Sequence, residues 1–129
     1  MSAFARDDQG RLCAGGMPLG DIAASHGSPL YVYSGDGIRD DYRRFAAAVA
    51  PVDGSVHFAL KANSALGVIG LLARHGAGAD IVSGGEMARA LAAGIPAEKI
   101  VFSGVGKSAE EISAALDAGI GQILSLIHI

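Results

Sequence analysis

A chain of 129 residues that is 50% apolar can bury one modest core, and its formal net charge of -3, with lysine and arginine scattered rather than striped, leaves no nucleic-acid or anionic-membrane footprint. Small-molecule work is the expectation, in the cytoplasm, because the single Cys13 allows no internal disulfide and M-S-A-F-A-R-D-D lacks the basic start and apolar core of a signal peptide. No run approaches the ~18 to 20 consecutive apolar residues of a membrane span.

Residues 1–29 read as irregular, apart from a short helical stretch over residues 19–26 that Gly27 and Pro29 stop. P-L-Y-V-Y-S, residues 29–34, has the aromatic and β-branched content of a strand, which Pro29 can only begin. Residues 36–50 predict a helix with Ile38, Tyr42, Phe45, Ala46 and Val49 on one face. From Val56 the pattern becomes regular. Strand-like runs begin at Val56, Ala79, Lys99 and Gly119, and helical patterns over residues 66–75, 85–93 and 109–118 end at Gly76, Gly94 and Gly119. Tandem β-α units on short loops imply parallel strands with right-handed crossovers, either in an open doubly wound sheet or in a closed (β/α)8 barrel. The open dinucleotide fold needs Gly-x-Gly-x-x-Gly just after a strand, whereas G-A-G-A-D-I at residues 76–81 precedes one, so the barrel is favoured.

V-F-S-G-V-G-K-S, residues 101–108, imitates a nucleotide loop but has Val101 where the first glycine must stand. Ser108 instead opens a capping box with Glu111, and Glu110 and Glu111 in the first helical turn would repel a triphosphate.

In V-H-F-A-L-K-A-N, period-two alternation puts Val56, Phe58 and Leu60 on the helix-facing side and His57, Ala59 and Lys61 on the other. In a barrel that second side is the lumen, and Lys61 stands at the C-terminal strand end, where barrel active sites gather. A partly desolvated lysine there favours its neutral amine, the nucleophile of Schiff-base chemistry. Asp80, an acid inside the apolar run A-D-I-V-S, needs a partner: Lys61, a ligand cation or a structural salt bridge. His57 reads as a packed histidine and His75 as an exposed helix-end one, with no metal spacing between them.

F-A-L-K-A-N-S at residues 58–64, G-A-G-A-D-I-V-S-G-G-E at 76–86, the stretch A-L-A-A-G-I-P-A-E-K-I-V-F-S-G-V-G-K-S at 90–108 and G-S-P-L-Y-V-Y-S at 27–34 resemble the diaminopimelate decarboxylase family. That family lies within the barrel group of pyridoxal-phosphate-dependent decarboxylases. S-G-G-E with F-S-G-V-G-K favours it over ornithine and arginine decarboxylases, though another barrel-type decarboxylase of basic amino acids, of ornithine, arginine or carboxynorspermidine, stays the alternative, and alanine racemases carry a Tyr-Gly-His run absent after Asn63.

The resemblance implies a homodimeric lyase whose subunit joins a (β/α)8 barrel, binding pyridoxal 5'-phosphate, to a β-rich domain, and which converts meso-2,6-diaminopimelate to L-lysine and CO2. Lys61 matches the lysine that attaches to the cofactor, Ala59 lies beside the cofactor, and Asp80 matches an acid near both. Residues 1–35, including the strand at 30–34, would then belong to the β-rich domain, and residues 36–123 to the first three to four β-α units of the barrel. The ring-stacking histidine, the phosphate site and the substrate-contacting cysteine and tyrosine lie downstream in such relatives, so Cys13 is not that cysteine. L-S-L-I-H-I, residues 124–129, reads as a non-native tail on a truncated frame, and the chain alone is expected to be inactive and prone to associate through open strand edges. Two other readings remain: a non-catalytic pyridoxal-phosphate barrel protein, and an α/β interaction domain with a Lys61–Asp80 salt bridge.

Overall fold

The structure is a computed structural model and describes residues 3–125; most of the expected tail, residues 126–129, lies outside them. The chain divides into two compact units, Met1–Arg44 and Phe45–Ile129.

The first unit is more regular than its sequence suggests. β1 (Phe4–Arg6), β2 (Leu12–Ala14) and β3 (Met17–Pro18) form an antiparallel sheet in that order, followed by α1 (Leu19–His26). Asp7 builds the first turn: Oδ1 accepts from the backbone N–H groups of Gln9 at 3.0 Å and Arg11 at 2.8 Å, and Oδ2 takes the Arg11 guanidinium at 2.8 Å. These bonds, the Arg11 backbone N–H first, hold the Asp7 carboxyl below the usual carboxylate range. The second turn is Gly15-Gly16, with φ of 56° and 81°, the left-handed pair that a two-residue hairpin requires.

The strand expected over residues 29–34 does not form. No ladder reaches it among the described residues, Tyr31 is 90% exposed, and Ser34 serves the next element instead. Its Oγ accepts the Gly37 N–H at 3.2 Å at the start of α2 (Gly35–Val49). The α2 stripe has the expected spacing, but Ile38, Tyr42, Ala46 and Val49 are only half-buried and Phe45 is exposed.

In the second unit β4 (His57–Ala59), β5 (Gly78–Ile81), β6 (Ile100–Phe102) and β7 (Gln122–Ile123) form a parallel sheet in sequence order, as the β-α rhythm predicts. α3 (Leu66–Arg74), α4 (Gly84–Ala92) and α5 (Ala109–Asp117) make the crossovers. Each helix passes through a C-cap residue into a glycine of positive φ, Gly76, Gly94 or Gly119, at the positions read from sequence. Parallel register aligns Phe58 with Ala79 and Ile100, and Ile81 with Phe102 and Ile123. This face lies in a core with Leu60, Ile69, Met87, Ala90, Ile95 and Ala115, and Leu60, Ala79, Ile81, Ile100 and Phe102 have no exposed surface. Three β-α units and a fourth strand are the beginning of the (β/α)8 architecture rather than a closed barrel.

The capping box on α5 is complete: Ser108 Oγ accepts the Glu111 N–H at 3.2 Å, and Glu111 Oε2 accepts the Ser108 N–H at 3.0 Å. Ser108→Ala should therefore cost about 1 kcal/mol. A urea midpoint unchanged from wild type would show that the cap contributes nothing.

Candidate active site

The other face of the sheet carries the chemistry. Register places Ala59, Asp80, Val101 and Gln122 in one row across the four strands, all on the side opposite the core. Ala59, Asp80 and Val101 are half-buried there, the alternation read from V-H-F-A-L-K.

Beyond Ala59 the chain leaves β4 in one 3-10 turn, Leu60–Ala62. Leu60 plugs the core, and Lys61 follows it on the exposed side. Lys61 is exposed and makes no hydrogen bond or ion pair with any described residue. The partial desolvation expected of it is absent, because four strands leave their open face uncovered.

Nor do Lys61 and Asp80 form a salt bridge. The ion pairs among the described residues join Arg11 to Asp7, Arg39 to Asp36 and Asp40, and Arg44 to Asp41. Asp80 Oδ1 instead accepts a hydrogen bond from the Ser103 hydroxyl, between two side chains 23 positions apart. The serine follows β6 directly, and its backbone N–H extends the ladder to the Ile81 carbonyl at 2.9 Å. Reading Asp80 for a cationic partner overlooked the hydroxyl one strand away. The signal was F-S after an apolar run, in register with D-I-V.

The loops at this end are tied to one another. Ser83 caps α4 by accepting the Glu86 N–H at 3.2 Å, and Glu86 Oε2 accepts the Val82 N–H at 2.7 Å. Glu111 reaches across from α5, where its Oε1 accepts the Gly84 N–H at 2.7 Å. Lys107 donates to the carbonyls of Gly104 at 2.5 Å and Leu124 at 2.6 Å. Its ammonium also lies 5.3 Å from the centre of the Phe102 ring. Here it is a clamp on the loop after β6.

The Gly84 and then the Ser108 N–H groups hold the Glu111 carboxyl below the usual range. A depressed folded-state value means that the bridge is intact above the ordinary value of 4.5 and is lost as pH falls through the lower, folded one. Hydrogen exchange at the Gly84 amide should therefore quicken in acid relative to its intrinsic rate, and Glu111→Gln should flatten that dependence. The same profile in both proteins would remove Glu111 from the account.

The two histidines lie apart from this. His57 is half-buried at the start of β4, its Nε2 3.0 Å from Ser55 Oγ and its Nδ1 buried without a partner. It packs over Gly78, where a Cβ would strike both the imidazole and the Lys99 carbonyl. His75, read as exposed, is half-buried at the C-cap of α3.

Comparison with known proteins places this geometry. Residues 36–125 match the pyridoxal-dependent decarboxylase family in its pyridoxal binding domain. The chain is 55% identical over 111 residues to a diaminopimelate decarboxylase of Pseudomonas fluorescens, covering 86% of this chain and 27% of that protein. It is 50% identical over 119 residues to that of Zymomonas mobilis, covering 88% of this chain and 28% of the relative. Among solved structures, diaminopimelate decarboxylase of M. jannaschii in complex with L-lysine superposes with a TM-score of 0.88 at 36% identity, over 95% of this chain and 29% of that one. The chain thus spans a little over a quarter of the length of these relatives.

Proposed function

The chain belongs to the pyridoxal-dependent decarboxylase family, and from that premise we propose that it is the lysine-bearing part of a carboxy-lyase that converts meso-2,6-diaminopimelate to L-lysine and CO2. The observation that carries this reading is Lys61 at the C-terminal end of β4, unpartnered on the open face, with an anchored carboxylate on the neighbouring strand. Identity of 55% to a diaminopimelate decarboxylase supports the choice of substrate.

The residues present fit one end of pyridoxal 5'-phosphate. Lys61 Nζ has no hydrogen-bond partner among the described residues and is available to a carbonyl carbon, and Ala59, paired in register with Asp80, offers only a methyl group, which leaves room for a flat ring. Asp80 commits Oδ1 to Ser103 and keeps Oδ2 as an acceptor. The phosphate end is not provided for by α4 or α5. Glu111 takes the Gly84 and Ser108 N–H groups, Ser83 takes that of Glu86, and acidic side chains crowd both first turns. Downstream residues of a longer protein hold that group in this reading.

When bound, the cofactor's ring supplies the electron sink that decarboxylation needs. The chain's own part is to present the Lys61 amine as nucleophile, to hold an acceptor for an N–H or O–H beside it at Asp80, and to fix the surrounding loops through Glu111 and Lys107. In the same reading residues 1–35, whose β1–β3 meander is antiparallel, belong to a β-rich domain and residues 36–123 to the barrel. The complete enzyme is a cytoplasmic homodimer in this reading.

The test is turnover by the full-length enzyme carrying this segment. Loaded with pyridoxal phosphate, it should release CO2 and L-lysine in equal amounts from meso-diaminopimelate and leave ornithine and arginine untouched, while the 129-residue chain alone should release none. Preference for ornithine or arginine would overturn the substrate, and cofactor binding without turnover of any of the three would favour a non-catalytic barrel protein.

A further inference from the structure

A side-chain hydrogen bond on the open face joins two groups that the proposed chemistry leaves unused: the Ser103 hydroxyl and Asp80 Oδ1. Asp80 is half-buried in the row beside Ala59, and a carboxylate there has several rotamers open to it unless something selects one. Ser103 can select it because its own position is fixed from three sides. Its backbone N–H is bound to the Ile81 carbonyl at 2.9 Å, and its hydroxyl oxygen lies 3.3 Å from the same carbonyl. The next residue, Gly104, has its carbonyl held by Lys107, whose ammonium is in turn tied to Leu124 and seated against the Phe102 ring. The donor is therefore preorganised before any ligand arrives, and a hydroxyl-to-carboxylate bond of this charge-assisted kind is stronger than a neutral one.

We propose that Ser103 is a positioning residue: its hydroxyl fixes the Asp80 carboxylate with Oδ1 turned to β6 and Oδ2 left as the acceptor beside Ala59 and Lys61. The inference deepens the lyase reading and rests on it for the role of Asp80, but the contact itself is a property of the strands. Among the described residues the Ser103 hydroxyl hydrogen-bonds Asp80 and the Ile81 carbonyl but not Lys61, and it acts through Asp80.

The experiment uses the full-length enzyme and an isosteric pair. Ser103→Thr keeps the hydroxyl and Ser103→Val removes it at the same volume, so the two differ in the bond alone. Crystal structures should show the Asp80 rotamer kept in the threonine protein and abandoned in the valine protein. Pyridoxal phosphate, titrated by fluorescence, should bind the valine protein about 10-fold more weakly than the threonine protein, the size of a lost hydrogen bond to a charged group. In an Asp80→Asn background that difference should vanish, and the thermal midpoints of the pair should stay together throughout. An unchanged Asp80 rotamer in the valine protein, or equal cofactor affinity in the pair, overturns the positioning role. If the wild-type enzyme fails to decarboxylate, the lyase reading falls, and the rotamer and binding comparisons still decide what Ser103 does.

Discussion

Lys61→Ala in the full-length enzyme should abolish covalent attachment of pyridoxal phosphate and lower decarboxylation by at least about 10^3-fold, the scale on which a positioned nucleophile or proton-transfer group contributes. The size of the loss follows from its isolation. Among the described residues no second lysine lies on this face: Lys99 ends the 3-10 turn before β6 and donates to the Gly76 carbonyl at 3.3 Å, and the Lys107 ammonium is spent on two carbonyls. Neither can substitute. Stability should barely move, because Lys61 is exposed and makes no contact that folding needs. A Lys61→Ala enzyme with unchanged turnover would remove the residue from the chemistry, and a collapsed thermal midpoint would mean that its role is structural.

The largest effect on stability should come from Phe102→Ala. Phe102 is fully buried in the centre of the sheet, paired in register with Ile81 and Ile123, and its ring carries the Lys107 ammonium. Truncating a buried phenylalanine costs about 3–5 kcal/mol through lost transfer energy and the cavity left behind, a large share of the roughly 5–15 kcal/mol that holds a domain together. Loss of the ring would also remove the aromatic seat of the Lys107 ammonium, which would then be held by its two carbonyl bonds alone. Val101, one residue earlier, supplies the control: it is half-buried on the open face, so Val101→Ala should cost only about 1 kcal/mol. Equal losses at the two positions would mean that the faces of β6 are wrongly assigned.

The second unit was legible in the sequence because its signals are local and redundant. A glycine stop closes each helix, Ser108 and Glu111 write out a capping box three residues apart, and period-two alternation separates Phe58 and Leu60 from Ala59 and Lys61. The first unit was misread because its strands are two or three residues long, too short for periodicity to register. Its information sits in the turns, in Asp7 and in Gly15-Gly16, and a hairpin can be read from those alone. Residues 29–34 erred the other way. Aromatic and β-branched composition favours a strand, but a strand is made by its ladder partner, and none reaches this segment among the described residues.

At the candidate site, the face on which Ala59 and Asp80 lie could be read from alternation within one strand each, whereas the 3-10 turn at Leu60–Ala62 that carries Lys61 could not. What binds Asp80 could not, since it depends on the register between two strands 23 residues apart and on a serine whose type is unremarkable. The clamp made by Lys107 is equally hidden in the sequence. Its partners are backbone carbonyls, which leave no trace in side-chain pattern.

The central claim is that Lys61 is the residue to which the cofactor attaches. It is tested most directly by incubating the full-length protein with pyridoxal phosphate, reducing with borohydride and mapping the modified peptide by mass spectrometry. A stoichiometric adduct on Lys61, displaced by meso-diaminopimelate added before reduction, is the predicted result. An unmodified Lys61, or an adduct confined to another lysine such as Lys99 or Lys107, would contradict it.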